Sequence, residues 1–423
     1  MNSAISAMDD MDRALVHALQ LAPRASWERL APVLGARPDT LARRWERLSA
    51  AGDAWTAGLG LRSGLAVPCM AWVEVTCTAG TAPAVGRTLT GDAHALRVEH
   101  LTGSRDLLLF VAVPDLTALY RYLSFRVQRI PGVVATRSSM VTTVHYSPNR
   151  WRLDQLTPAQ TAQLADQAQR PVSTTAPVTA PLSAEDRPLV LALAGDARRS
   201  VASLARGCGM SESTVRRRLA RLEAGGVLRF SCSLASVHSG WPVSATLWGE
   251  VAEHDVTDCA AAVSGLRETR ACMSTSGPWN FLVSARLRTV AELSRYTAEL
   301  TRRVPALRIA DSALALYVRK SAAQELDPEG RRVRTVPADI WSDPAPAPAP
   351  GGRSGAAGQS ADGRSGAAGQ SADGCSGAAA GYAADGRPGP GAGHAAAPSA
   401  DPAPLRALGR GLAPAWPRPR TAG

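Results

Sequence analysis

Two textures alternate along the chain. Over residues 9–52 and again over 183–226, apolar side chains recur at three- and four-residue spacing, punctuated by glycine, the pattern of short amphipathic helices. Over 66–145 and 240–318 apolar runs of strand length alternate with helical ones. The first of these stretches predicts strands at Cys69–Thr78, Ala95–Leu101, Leu107–Val113 and Val133–Tyr146, with helices near Ala82–Leu89 and Leu116–Arg129. The second predicts strands at Ser244–Val251, Thr269–Thr275, Phe281–Leu287 and Leu307–Val318. The order strand, helix, strand, strand, helix, strand is that of a split β-α-β, or ferredoxin-like, sandwich.

The alternation is a duplication. Asp12–Gly52 laid over Asp186–Gly226 without gaps, an offset of 174 residues, gives 18 identities in 41 positions. They include Asp12/Asp186, Ser26/Ser200, Gly35/Gly209, Arg43/Arg217, Arg44/Arg218 and Leu48/Leu222. The offset persists at Pro68/Pro242, Gly103/Gly277, Tyr122/Tyr296 and Pro131/Pro305. A period this long is no solenoid unit but a whole two-part module. The expected organisation is a first helical unit (9–60), a first sandwich (66–146) and a polar linker (147–181) with a short helix at Pro158–Gln169. A second helical unit (182–237) and a second sandwich (240–320) follow. From 327 to 423 Pro, Gly, Ala and Ser dominate, and GRSGAAGQSAD occurs at 352–362 and 363–373, a composition expected to be disordered. The fold class is α+β: two winged-type helix-turn-helix units, each followed by a βαββαβ domain, and a low-complexity tail.

Composition changes this picture little and charge changes it more. Seven cysteines, with no CxxC or zinc-type spacing, read as buried thiols in a reducing compartment. The longest apolar run, Leu107–Val113, is far short of the roughly 20 residues that span a bilayer. Met1–Asp12 lacks a basic leader, so a cytoplasmic protein without membrane association is expected. The formal charge is +11. Nine arginines against five acids leave +4 over 183–236, whereas 9–60 balances at seven each and the tail holds only +2. Of the two helical units, the polyanion-binding potential therefore belongs to the second.

That unit has the makings of a DNA reader. Val201–Cys208 predicts a helix, Gly209–Met210 a tight turn, and Ser211 the N-cap of a second helix, Glu212–Ala224. At about 100° per residue, Val215, Leu219 and Leu222 turn inward. Ser213, Arg216, Arg217, Ala220 and Arg221 turn outward. Short residues allow approach to a major groove, and arginines reach phosphates or guanine edges. Ser211, Ser213, Thr214, Arg216, Arg217, Arg218 and Arg221 are the candidate DNA contacts, with Arg43 and Arg47 from the first unit. There Leu41, Trp45 and Leu48 keep the core, but Asp39 and Glu46 replace Ser213 and Ala220 and set carboxylates towards phosphate. Reduced or altered DNA contact is expected from that copy.

The stretch Gly209 to Leu228, above all Arg221-Leu-Glu-Ala-Gly-Gly-Val227, resembles the recognition helix and exit of the Lrp/AsnC, or feast/famine, transcriptional regulators. In the first copy this element reads Arg47-Leu-Ser-Ala-Ala-Gly-Asp53. The resemblance spans about 9–320 and implies a helix-turn-helix coupled to a ferredoxin-like domain that senses ligand and oligomerises. Partners implied are double-stranded DNA, an amino acid or other small-molecule effector, and a further copy of the chain. A dimer of tandem chains would supply two second-copy helices. The family's effector turn, Gly-x-aromatic-Asp, corresponds to Gly103-Ser104-Arg105-Asp106 and Gly277-Pro278-Trp279-Asn280. Neither copy holds the full set. Arg105 facing an effector carboxylate, a divergent or absent effector, and a plain hairpin turn all stay open.

No GxSxG, HExxH or P-loop is present, and neither an enzyme nor a cofactor is expected. The alternatives are a sirohaem-decarboxylase-like enzyme built on the same modules, for which His94, Arg97 and His100 are the nominal ligand residues, and an oligomerisation scaffold without DNA binding. The second-copy positions Glu268, Ala271 and Ser274 keep none of that trio.

Overall fold

A computed structural model of the chain describes residues 8–60, 68–147, 151–164 and 182–344. The repeats of the low-complexity tail, its terminal arginines and most of the linker lie outside the described residues.

Helix α1 (Asp10–Leu21) starts on a capping box between Asp9 and Asp12. Helix α2 (Trp27–Leu34) is capped by Ser26 and closes on Gly35 at φ +64°, a conformation glycine adopts without penalty. Helix α3 (Pro38–Ala50) buries Leu41, Trp45 and Leu48. After it come β1 (Ala54–Gly60), β2 (Cys69–Cys77), α4 (Ala82–Thr90), β3 (Ala95–Leu101), β4 (Leu107–Val113), α5 (Leu116–Arg121) and β5 (Val133–Tyr146). The helix expected over Leu116–Arg129 breaks: α5 ends at Arg121, and one wide π-turn (Tyr122–Arg126) and a 3-10 turn complete the span. There the buried Tyr122 hydroxyl and the Arg126 guanidinium both donate to Asp92, at 3.0 and 2.7 Å.

A short helix, α6 (Pro158–Gln163), precedes the second module. That module repeats the order with α7 (Arg187–Leu193), α8 (Val201–Cys208), α9 (Glu212–Ala224), β6 (Leu228–Leu234), β7 (Val243–Glu250), α10 (Val256–Ser264), β8 (Thr269–Thr275), β9 (Phe281–Leu287), α11 (Glu292–Arg303) and β10 (Arg308–Ser321). Gly209 takes φ +64° at the helix-turn-helix corner, and Ser211 caps α9.

The two modules join edge to edge. β5 pairs with β2 through Ala135–Met140 and then with β8 from Val141 on. β10 does the same, pairing with β7 up to Leu314 and with β3 from Ala315. Strands β10-β3-β4-β2-β5-β8-β9-β7 therefore close into a barrel, and no edge among these eight is left open. Trp72, Leu101, Leu108, Trp248, Met273 and Leu282 fill it. Separate cores lie between each sheet half and its own helices.

The helix-turn-helix units pair as well. β1 and β6 do not flank their own units as wings; they bind each other antiparallel, Ala54 opposite Leu234 and Gly60 opposite Leu228. At the centre Ala57 faces Ser231, its own counterpart in the repeat. A residue opposite its own copy marks a local two-fold axis. Arginines exchange across it: Arg24 donates to the Ala197 carbonyl and covers Phe230, while Arg198 donates to the carbonyls of Pro23 and Ala25 and covers Trp27.

Two boundaries need correction. The tail does not begin at 327. β11 (Gln324–Leu326) and β12 (Arg332–Thr335) form a hairpin, and Ala338 and Ile340 are buried against Leu96 and Ala112. The hairpin straps the two helical units together. The Arg332 guanidinium donates to Ser49 and Gly195 carbonyls, its amide donates to Gly52, and Arg331 and His238 both reach Asp53. Nor is the linker free throughout: Leu153, Leu156 and Leu164 lie in the first helical core, and the imidazole of His17 accepts the amides of Gln155 and Leu156. Both segments look polar in sequence, and a few apolar residues anchor each.

Candidate nucleic-acid interface

Helix α9 is placed by its apolar stripe. With Val215, Leu219 and Leu222 fully or nearly buried against Leu189, Leu193 and Leu204, the opposite side has to face solvent. Ser213, Arg216, Arg217 and Ala220 are exposed there. Ser211 spends its hydroxyl on the cap: it accepts the Thr214 amide at 3.2 Å and lies within 3.0 Å of the Ser213 and Thr214 hydroxyls. Arg216 reaches one turn back to Glu212 at 2.7 Å, a solvent-screened pair worth a few tenths of a kcal/mol that a phosphate would readily displace. Arg217 has no ion-pair partner among the described residues. Exposed Arg206 extends the basic surface onto α8.

Arg218 and Arg221 do something else, which corrects the expectation for both. Each turns sideways to Asp186, which is fully buried at the start of the unit; Arg218 also holds Glu185. The Ser183 amide and hydroxyl donate to the same Asp186 carboxylate at 2.9 and 2.8 Å. Burial by itself raises that carboxyl, but Arg221 and Ser183 outweigh it and hold it below its ordinary value. The first unit repeats the arrangement. Buried Asp12 takes Arg44 at 2.9 Å and also Arg47, and Arg44 adds Asp9 at 2.7 Å. So Arg47, like Arg221, ties the recognition helix to the first helix of its own unit. Sequence reading missed the role of Asp12 and Asp186. Their signal was the joint survival of Asp12/Asp186, Arg44/Arg218 and Arg47/Arg221 in both copies.

On α3 the exposed face carries Asp39, Arg43 and Glu46, with Ala42 half-exposed, at the positions of Ser213, Arg217, Ala220 and Arg216. None of Asp39, Arg43 and Glu46 has an ion-pair partner among the described residues.

The two candidate effector turns are tight hairpins. Gly103 and Gly277 take φ +94° and +109°. Asp106 accepts the Cys77 amide at 2.7 Å. Asn280 both accepts from and donates to the Val251 backbone, at 3.0 and 2.8 Å, in the equivalent place. Both side chains thus brace the end of the first strand of their own sandwich, β2 and β7 respectively. Arg105 is 5% exposed and sits between Glu74, at 3.1 Å, and Asp311, at 2.8 Å, with its guanidinium 4.1 Å above the Trp248 ring. It is no free partner for an effector carboxylate, because the chain's own carboxylates hold it. Trp279 leans on Trp248 from the other copy's turn, ring centres 6.5 Å apart.

His94, Arg97 and His100 are not brought together. His94 meets the Ser342 carbonyl at 3.0 Å. Arg97 pairs with Glu99 and donates to Ser244 across the barrel. His100 points to the opposite face of β3, stacked on Tyr317 and against Gly86 of α4. Three of the described thiols are poor nucleophiles, since burial pushes Cys232 up to about 12 and Cys77 and Cys259 to about 11. No helix among the described residues is long and apolar enough to cross a membrane.

Comparison with known proteins agrees with this architecture. The AsnC-type helix-turn-helix domain matches residues 8–49 and again 182–223. The Lrp/AsnC ligand binding domain matches 70–150. The chain belongs to the Lrp/AsnC family. An uncharacterised HTH-type transcriptional regulator of Pyrococcus furiosus is 22% identical over 136 residues, 32% of this chain and 92% of that protein. Among solved structures, the siroheme decarboxylase NirDL is 17% identical over 74% of this chain and 93% of its own, with a TM-score of 0.49. The leucine response regulatory protein LrpA of Mycobacterium tuberculosis is 26% identical over 34% of this chain and 99% of its own, with a TM-score of 0.31.

Proposed function

We propose that this Lrp/AsnC chain is a sequence-specific, DNA-binding transcription regulator and not an enzyme. The observation that carries the reading is the solvent-facing surface of α9, where Ser213 and Arg217 take no part in an ion pair among the described residues and Arg216 makes only an exposed, one-turn pair with Glu212. A short hydroxyl at the helix N-terminus admits the backbone of a duplex, and two unburied arginines one residue apart supply phosphate or guanine contacts. The dispersal of His94, Arg97 and His100 favours the non-catalytic side of the reading. Effector control belongs to the sensing barrel. The turn positions are filled by Arg105 and Trp279, which favours an effector unlike a free amino acid held there, or none in that turn.

Fluorescence anisotropy of the full chain on selected and random duplexes, titrated with salt, tests this. Arg216→Ala with Arg217→Ala should weaken specific binding by about 10- to 100-fold and reduce the slope of log K against log salt by about 2. Equal binding by wild type and variant, or no binding by wild type near 100 mM salt, would overturn it.

A further inference from the structure

We infer that a single chain reads a non-palindromic DNA site, with α9 on a guanine-bearing half and α3 on a cytosine-bearing half. The inference rests on the DNA-binding reading above. It begins with the β1–β6 pairing. Residues i and 288 − i face each other along the ribbon, and Ala57 faces Ser231, its counterpart 174 positions on. The ribbon therefore has a local two-fold axis. α3 ends at Ala50, four residues before β1, and α9 ends at Ala224, four residues before β6. Equivalent connections carry that axis to the two recognition helices. The reciprocal Arg24 and Arg198 contacts and the strap at Arg332 hold both units to one arrangement.

Two helices related by a two-fold address two half-sites, and a palindromic operator reflects identical helices. Here the helices differ on the side that faces solvent. The stripe on α9 is Ser213, Arg216, Arg217, Ala220; the matching stripe on α3 is Asp39, Ala42, Arg43, Glu46. Among base edges in the major groove, arginine suits the O6 and N7 acceptors of guanine, and a carboxylate suits the N4 amino donor of cytosine. Asp39 and Glu46 lie seven residues apart, on one side of α3 with Arg43 between them, and all three are exposed without an ion-pair partner among the described residues. The two faces thus specify different base edges within one rigid frame.

The test is selection of duplexes from a random pool with the full chain at fixed salt, followed by affinity measurement on the winners. The expected winner has two unlike half-sites one helical turn apart, centre to centre about 34–36 Å. Exchanging cytosine for another base opposite α3 should cost roughly tenfold in affinity. A variant with Asp39→Ser, Ala42→Arg and Glu46→Ala leaves Leu41, Trp45 and Leu48 in place and should select a palindrome. If that variant loses its helical circular dichroism, Glu46→Gln alone serves, and its preference for cytosine should fall. A palindromic winner from the wild-type chain, or a single half-site with random flanks, overturns the inference while leaving DNA binding intact. Failure to enrich any duplex overturns the underlying reading instead.

Discussion

The two helix-turn-helix units share a skeleton and differ in skin. Both cap their second helix with serine, turn at a glycine of φ +64°, and bind a buried aspartate to two arginines of the recognition helix. What separates them is charge on the open face: two carboxylates on α3, where α9 carries serine and alanine. Duplication followed by divergence has spared the residues on which folding depends. The difference also shows that arginine on a recognition helix is no proof of DNA contact. Arg218 and Arg221 are fastened to Asp186, which leaves on α9 Arg217, and Arg216 when it gives up its exposed pair with Glu212.

The comparison can be broken at the clamp first. Asp186→Ala takes the shared buried carboxylate from Arg218 and Arg221, leaving Arg218 its pair with Glu185, and Asp12→Ala takes it from Arg44 and Arg47, leaving Arg44 its pair with Asp9. Because the arginines left behind are partly exposed, each loss should cost about 3 kcal/mol, the sum of several screened charge-assisted hydrogen bonds to one carboxylate. Urea unfolding should show similar losses for the two; a clearly unequal pair would mean the clamps are not equivalent.

Next comes a pH difference. Burial pushes the His17 imidazole down to about 4, while Leu191 takes its place in the second unit. The unfolded chain protonates His17 first, so the first unit loses stability as pH falls from about 6.5 towards 4, by up to about 3 kcal/mol. Hydrogen exchange at pH 7 and pH 5 should show weakened protection in α1 and α3 but not in α7 and α9, and His17→Leu should abolish the difference.

Smaller effects fall on the open faces. Arg217→Ala should weaken DNA binding by about tenfold and remove about one unit of salt slope, with Arg43→Ala losing less. Identical losses in a titration at matched salt would erase the asymmetry. Smallest of all, Glu46→Ala should raise nonspecific affinity by about two- to threefold, as one repulsive charge near phosphate is removed.

Much of the fold was legible because it is written locally and twice. Strand and helix spans follow from periodicity, and the 174-residue repeat exposed the module. The site was legible only in part. Helical geometry placed Val215, Leu219 and Leu222 correctly, but it sorts side chains by angle alone. Arg221 falls at an outward angle, yet its long side chain bends to an aspartate 35 residues away. Arg105 was likewise beyond reach, since Glu74, Asp311 and Trp248 come from distant strands.

By itself, then, the amino-acid order determined the elements, the tandem plan and which helix bears the excess of positive charge, because propensity, capping and hydrophobic period act over a few residues. Tertiary structure decided the rest: the closed barrel, the strand exchange between helical units, the strap at Arg331 and Arg332, and which arginines stay free. Those outcomes depend on charges and strand edges meeting across hundreds of residues, where no local pattern records the partner.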